Sequence, residues 1–252
     1  MNIIVYSPLE QFEVTSLIGL NAPILGSFFL SLSNLGLYVG IVVFLIVGLH
    51  IMGNNEFKLI PSKWSISLES IYVSIHTIVK DNVGHEIYFP FLYSLFMFIL
   101  ISNLNGNIPY GYTVTTSAIV SIGLSLMIFL GVTILGLSIH GLHFFSYFVP
   151  SGTPLALVPL LVLIEIISYL ARAVSLGVRL FSNIVAGHTL LKILSTFLYQ
   201  GFVSSLIIFI VTLIPFMIFV ALIGLEIAVS IIQAYVFTIL TCSYLKDSIE
   251  LH

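Results

Sequence analysis

Four charged side chains stand deep inside the two most apolar runs of this sequence: Glu165, Arg172, Arg179 and Glu226. A charge near the middle of a membrane helix costs roughly 2.5–3.5 kcal/mol, so each needs a partner or a task. Glu165, Arg172 and Arg179 recur every seven residues, with Ser168 and Ser175 between them and Ser182, Asn183, His188 and Lys192 beyond. Steps of three and four put Glu165 to Asn183 on one stripe of a helix, with His188 and Lys192 beyond it. The second run carries Glu226, Ser230 and Gln233 at steps of four and three, followed by Thr241, Tyr244 and Asp247. Carboxyls and histidine can take up and release protons near neutrality when burial and neighbours tune them. Arginine stays protonated, so in such a line it is a barrier or a counter-charge rather than a relay. Arg179 lies mid-run with no acidic residue within a turn or two, which makes it the expected counter-charge. For Arg172 an ion pair with Glu165, or with a residue near the chain end, competes with that role. Purely structural, hydrogen-bonded carboxyls are the alternative for Glu165 and Glu226. His188 and Glu226 alone are too few ligands for a metal. Neither a metal nor another cofactor is expected.

The elements that must hold these residues belong to a membrane protein. Of the 252 residues, 59% are apolar and 7% are charged, against about 25% charged in soluble domains. A mean hydropathy of +1.20 excludes a soluble enzyme, a disordered chain and a nucleic-acid binder. The single Cys242 excludes a disulfide framework. Residues 1–27 hold Glu10 and Glu13 but no Lys or Arg, so no secretory signal is expected there. Phe28–Met52 is long enough and apolar enough for a first transmembrane helix. Within 53–86, Leu68, Ile71, Tyr72, Ile75 and Val79 follow the rhythm of an amphipathic helix lying in the interface, with Trp64 at headgroup depth.

No Asp, Glu, Lys or Arg occurs from Ile87 to Ile164. Two spans are expected there, roughly 90–108 between Pro90 and Pro109, and 114–139. Asn103, Asn105 and Asn107 are read as capping the first span or meeting headgroups. Gly123, Gly131 and Gly136 are read as sites of close helix packing in the second. Thr153-Pro154 signals the next helix start. The two remaining runs are about forty residues each, or about 60 Å if helical. Either each run folds into two spans about a tight turn, or each is one tilted helix. Turns inside hydrocarbon leave backbone groups unsatisfied, so a hairpin of two long tilted helices, turning at Gln200-Gly201, is expected over 154–247. The fold class is thus all-α and integral to the membrane, a single domain over 1–252. Lys58, Lys63 and Lys80 place the loop that carries them on the positive-inside face, with the N-terminus opposite.

The run from Glu165 to His188, with its core Arg179-Leu-x-x-Asn183-x-x-Ala-Gly187-His188, resembles the signature of the ATP synthase subunit a family. The stretches Ser7-Pro-Leu-Glu-Gln-Phe-Glu13, Phe148-Val-Pro-Ser-Gly-Thr-Pro154-Leu and Tyr244-Leu-Lys-Asp247 are similar to its mitochondrial, fungal members. Some of these lose a short leader before a comparable Ser-Pro-Leu start; six residues precede Ser7 here. The resemblance implies a multi-pass stator subunit of the mitochondrial inner membrane, with the lysine-bearing loop in the matrix and the N-terminus in the intermembrane space. It implies as partners the ring of c subunits, other membrane-sector and peripheral-stalk subunits, and lipid. On it, Arg179 is the essential charge facing the ring carboxylate. Glu226 and His188 serve entry from the intermembrane space, and Glu165 lies along the matrix exit. Asn183 and Gln233 sit near Arg179, while Arg172, Ser175, Tyr244 and Asp247 are supporting polar groups. Such a subunit makes and breaks no covalent bond itself. A secondary transporter would show inverted repeats, and a respiratory pump would show lysines in several spans; neither pattern is present. A plain scaffold leaves the polar stripe unexplained.

Overall fold

The computed structural model describes residues 10–22, 28–54, 60–108, 111–149 and 157–250. Six helices dominate: α1 (Asn34–Gly53), α2 (Lys63–Asn82), α3 (Phe89–Gly106), α4 (Ala118–His140), α5 (Val158–Ser204) and α6 (Leu206–Ile249). All but α2 are long and apolar enough to cross a membrane. A small antiparallel hairpin of β1 (Ser16–Ala22) and β2 (Phe28–Ser33) precedes α1, with Gly19 opposite Ser31 and Leu20 opposite Leu30. The architecture is that of an all-α integral membrane protein carrying this one short hairpin.

The first helix therefore begins six residues later than its apolar composition suggests. Phe28–Ser33 ends Leu-Ser-Leu-Ser, a two-residue alternation that suits a strand. Ser33 then caps α1, its hydroxyl accepting from the Gly36 N–H. Ser62 does the same for α2 at the Ser65 N–H. The amphipathic reading of α2 corresponds to real contacts: Ile75 and Val79 are buried, and Leu68 and Ile71 pack against the core. Pro90 and Pro159 sit in the first turns of α3 and α5, where the missing N–H costs nothing. A 3₁₀ turn at Val114–Thr116 occupies the start expected for α4. Thr153-Pro154, Pro109, Lys58 and the first three residues of the Ser7–Glu13 segment lie outside the described residues.

The last two runs are single helices. At about 1.5 Å per residue, the 47 residues of α5 and the 44 of α6 reach about 65–70 Å, twice a hydrocarbon core of about 30 Å. Both must therefore lie oblique to keep their apolar length in lipid. The reversal falls at Ser205, not at Gln200-Gly201. Ser205 is extended and its hydroxyl caps α6 at the Ile208 N–H. Gly201 stays helical because it is a packing position: a Cβ there would come within 2.9 Å of Thr212 Cγ2.

Helix α3 is the central post. Half of its apolar stretch is buried, against 6% for α1 and for α6. The core joins Leu92, Phe96 and Ile99 of α3 to Ile128 and Val132 of α4, Leu176 and Leu180 of α5, and Phe237 and Leu245 of α6. The outer flanks stay apolar and bare, as Ile207 and Met217 illustrate. That is the surface a lipid solvent requires.

Candidate functional site at the α5–α6 seam

The polar stripes of α5 and α6 face each other. Partner numbers fall on one helix as they rise on the other: Gly201 meets Thr212, His188 meets Glu226, Asn183 meets Gln233, and Arg172 meets Asp247. The buried face of α6 is unusually polar for a membrane helix. It carries Thr212, Glu226, Ser230, Gln233, Thr238, Thr241 and Ser248, all buried. At about 100° per residue they all fall within one side of the helix.

Near the seam's first end, Arg172 is clasped by three groups. Its Nη1 donates to Asp247 Oδ2 at 3.1 Å and to the Tyr147 hydroxyl at 3.1 Å, and its Nη2 lies 3.7 Å from Glu165 Oε1. Tyr147 comes from the 3₁₀ stretch Gly141–Phe148, whose aromatic rings pack edge-on around Tyr169. A cavity of about 20 Å³ opens among Tyr147, Tyr169, Arg172, Tyr244, Asp247 and Ser248, room for about one water. The ion-pair reading of Arg172 thus applies to both candidates at once, Glu165 and the residue near the chain end.

Two turns further along, Arg179 is exposed, as is Ser175. Among the described residues Arg179 makes no hydrogen bond or ion pair. Its neighbour Leu180 is fully buried, so Arg179 sits at the edge of the packed face of α5 with its side chain exposed. Asn183 Nδ2 donates to Gln233 Oε1 at 3.0 Å one turn on.

The third zone is the most enclosed. His188 Nδ1 stands 3.5 Å from Glu226 Oε1, with both side chains largely buried. Gly187 makes the approach possible, since a Cβ there would lie 2.9 Å from that carboxyl oxygen. Below Glu226, the Ser230 hydroxyl donates to the Glu226 carbonyl and accepts from Asn107 Nδ2 at 3.0 Å. Asn103 Nδ2 donates to the Ser230 carbonyl at 3.3 Å. Of the asparagines expected to cap α3 or meet headgroups, Asn107 does cap it, its N–H returning to the Asn103 and Leu104 carbonyls, while the side chains of Asn107 and the buried Asn103 also tie α3 to Ser230 of α6. Several buried atoms here have no hydrogen-bond partner among the described residues: His188 Nε2, Glu226 Oε1, Gln233 Nε2, Asn103 Oδ1, Asn105 Nδ2 and Asn107 Oδ1. Buried polar atoms are almost always hydrogen-bonded, to water where protein fails. Such a cluster fits a wet path rather than a dry core.

Sequence reasoning missed Tyr147, Asn103, Asn107, Gly187 and Phe12, whose ring lies against His188. Asn103 and Asn107, four apart and hence on one helical face, were the available signal. Of the three glycines expected to pack closely in α4, only Gly136 does so, against Phe144; Gly123 and Gly131 face open space.

The family model for the ATP synthase A chain matches residues 36–246. A curated ATP synthase subunit a from Mycosarcoma maydis is 65% identical, with all of both chains covered. The subunit a of Emericella nidulans is 51% identical over 98% of each chain. That of Kluyveromyces lactis is 48% identical over the whole of both. With the family model covering most of its length and such relatives matching from end to end, the chain belongs to the ATP synthase A chain family.

Proposed function

We propose that this chain is the stator subunit that carries protons to and from a rotating ring of c subunits, through two offset half-channels in the mitochondrial inner membrane. Family membership makes it a proton-translocating membrane component of ATP synthase, part of a complex and not its catalytic subunit. Its partners in this reading are the c-ring, the other membrane-sector and peripheral-stalk subunits, and lipid. The N-terminus faces the intermembrane space, and the loop with Lys58, Lys63 and Lys80 faces the matrix.

The observation that carries the reading is the isolation of Arg179. Arg172 has two carboxylates and a phenol, and Glu226 has His188. Arg179 has no such hydrogen-bonded or ion-paired partner among the described residues and is exposed. A carboxylate presented by a neighbouring subunit would complete it, since an unpaired charge in an apolar surface is costly. A proton entering by His188 and Glu226 neutralises that carboxylate, which can then turn into lipid. After nearly a full revolution the proton leaves on the side of Glu165. Asn183 and Gln233 hold the seam one turn from Arg179. Arg179 favours the returning ionised carboxylate and blocks direct leakage, because a fixed cation repels protons. Each proton crossing gains about 2.3 kcal/mol per 100 mV.

Arg179→Ala in inner-membrane vesicles is the test. Assembled complexes should lose ATP-driven acidification by more than about tenfold, with a raised passive proton leak, the consequence of removing a charge barrier. Normal pumping by assembled Arg179→Ala complexes would overturn the assignment.

A further inference from the structure

We propose that Phe12 is a positioning residue for proton entry: the N-terminal turn closes over His188, and the Phe12 ring fixes the imidazole with Nδ1 towards Glu226. This rests on the entry role of His188 and Glu226 given above. The Phe12 and His188 rings meet edge-on, with centroids 6.2 Å apart and planes at 61°. That geometry is attractive and orients both rings. The imidazole needs such a contact. Nδ1 is 3.5 Å from Glu226 Oε1, too long to lock the ring by itself, and the buried Nε2 has no hydrogen-bond partner among the described residues.

The segment carrying Phe12 is anchored. Just after it, the Asn34 side chain accepts from the Thr15 N–H at 3.3 Å and donates to the Glu13 carbonyl at 3.0 Å. The Asn34 N–H also donates to the Thr15 carbonyl at 3.1 Å. Three bonds to the first residue of α1 thus hold the turn Glu10–Phe12 where it reaches α5. An aromatic residue on an anchored turn, set against the one histidine of the seam, positions a proton-handling ring and covers it.

The test compares Phe12→Ala, Phe12→Leu and Phe12→Tyr, alone and combined with His188→Ala. Proton-driven ATP synthesis is measured per assembled complex in vesicles, with assembly quantified on native gels. Phe12→Ala and Phe12→Leu should each slow synthesis about three- to tenfold, the worth of one aromatic contact. Phe12→Tyr, which keeps the ring edge, should restore it. In the His188→Ala background, Phe12→Ala should cost nothing more, because coupled residues are non-additive. Full activity of Phe12→Leu, or an equal loss in both backgrounds, would show that Phe12 only fills space. If Phe12→Ala does not assemble, the leucine and tyrosine variants decide. If His188→Ala alone leaves the rate unchanged, the entry reading itself fails and this inference with it.

Discussion

Arg172 and Arg179 are the same side chain, seven residues apart on α5, and their surroundings give them different work. Arg172 is a junction. One guanidinium joins α5 to the end of α6 through Asp247, to the 3₁₀ stretch through Tyr147, and to its own helix through Glu165. The flat fork of arginine offers five donors in fixed directions, against the three of a compact lysine ammonium. Arg172→Lys keeps the charge but should lose the fork, lowering the stability of the solubilised complex by about 1 kcal/mol. Arg172→Gln strands two carboxylates with no cation between them. Roughly 3–5 kcal/mol applies to a fully buried pair, and partial exposure of this one brings the expected loss to about 2 kcal/mol. Thermal melting of the purified complex checks both. Equal melting of the lysine variant and the unsubstituted protein would show that charge alone suffices. Spacing on the helix made Glu165 legible as a neighbour of Arg172, because groups seven apart share a stripe. It could not single out Asp247, 75 residues away, because only the hairpin's register brings those two together.

At the scale of the helix, small residues decide which elements touch. A Cβ at Gly177 would lie 2.9 Å from the Ile122 Cα and 3.0 Å from the Ser121 carbonyl oxygen. That is backbone against backbone, so nothing flexible can yield. Here α4 and α5 cross, and this is where small residues are required in membrane packing. Gly177→Ala should force the helices apart, costing about 1–3 kcal/mol and depleting assembled complex on native gels. Gly131→Ala should do the reverse, since nothing stands within 4 Å of that position. Alanine there relieves the helix penalty of glycine, worth about 0.5–1 kcal/mol. Undiminished assembly of the Gly177 variant would mean that the crossing is looser than its geometry states. From sequence these glycines look alike, because a small residue in an apolar helix signals a possible approach without naming a partner. The long helices were legible, since runs of about forty apolar residues with few breakers favour one tilted helix over a turn inside hydrocarbon, and α6 runs on through Pro215. The hairpin before α1 was not, because apolar composition outweighed the short alternation of Phe28–Ser33.

Across the whole molecule the polar groups form two zones displaced along the seam, with Arg179 between them. One gathers His188, Glu226, Ser230, Asn103 and Asn107 near the end of α3; the other gathers Glu165, Arg172, Tyr147 and Asp247 near the start of α5. The stripe on α5 announced both zones in sequence, but the share contributed by α3 required the tertiary contact. With successive spans alternating in direction across a membrane, the end of α3 and the start of α5 are expected on opposite faces. If each zone opens to its own face, each should be reached by water from that face alone. The cysteine background is simple to prepare: Cys242 is the sole cysteine and is buried, so Cys242→Ser gives a blank. In that background, Asn107→Cys should react with a membrane-impermeant thiol reagent added on the side of the α3 C-terminus. Glu165→Cys should react only from the other side, with at least about a tenfold preference in rate, since bulk hydrocarbon excludes a charged reagent. Ser175→Cys, one turn from Arg179, should react slowly from either if Arg179 is the barrier proposed. Labelling of both positions from one face would mean a single continuous pore. Such a pore would let protons cross without turning a rotor, and Arg179 would then be guarding nothing.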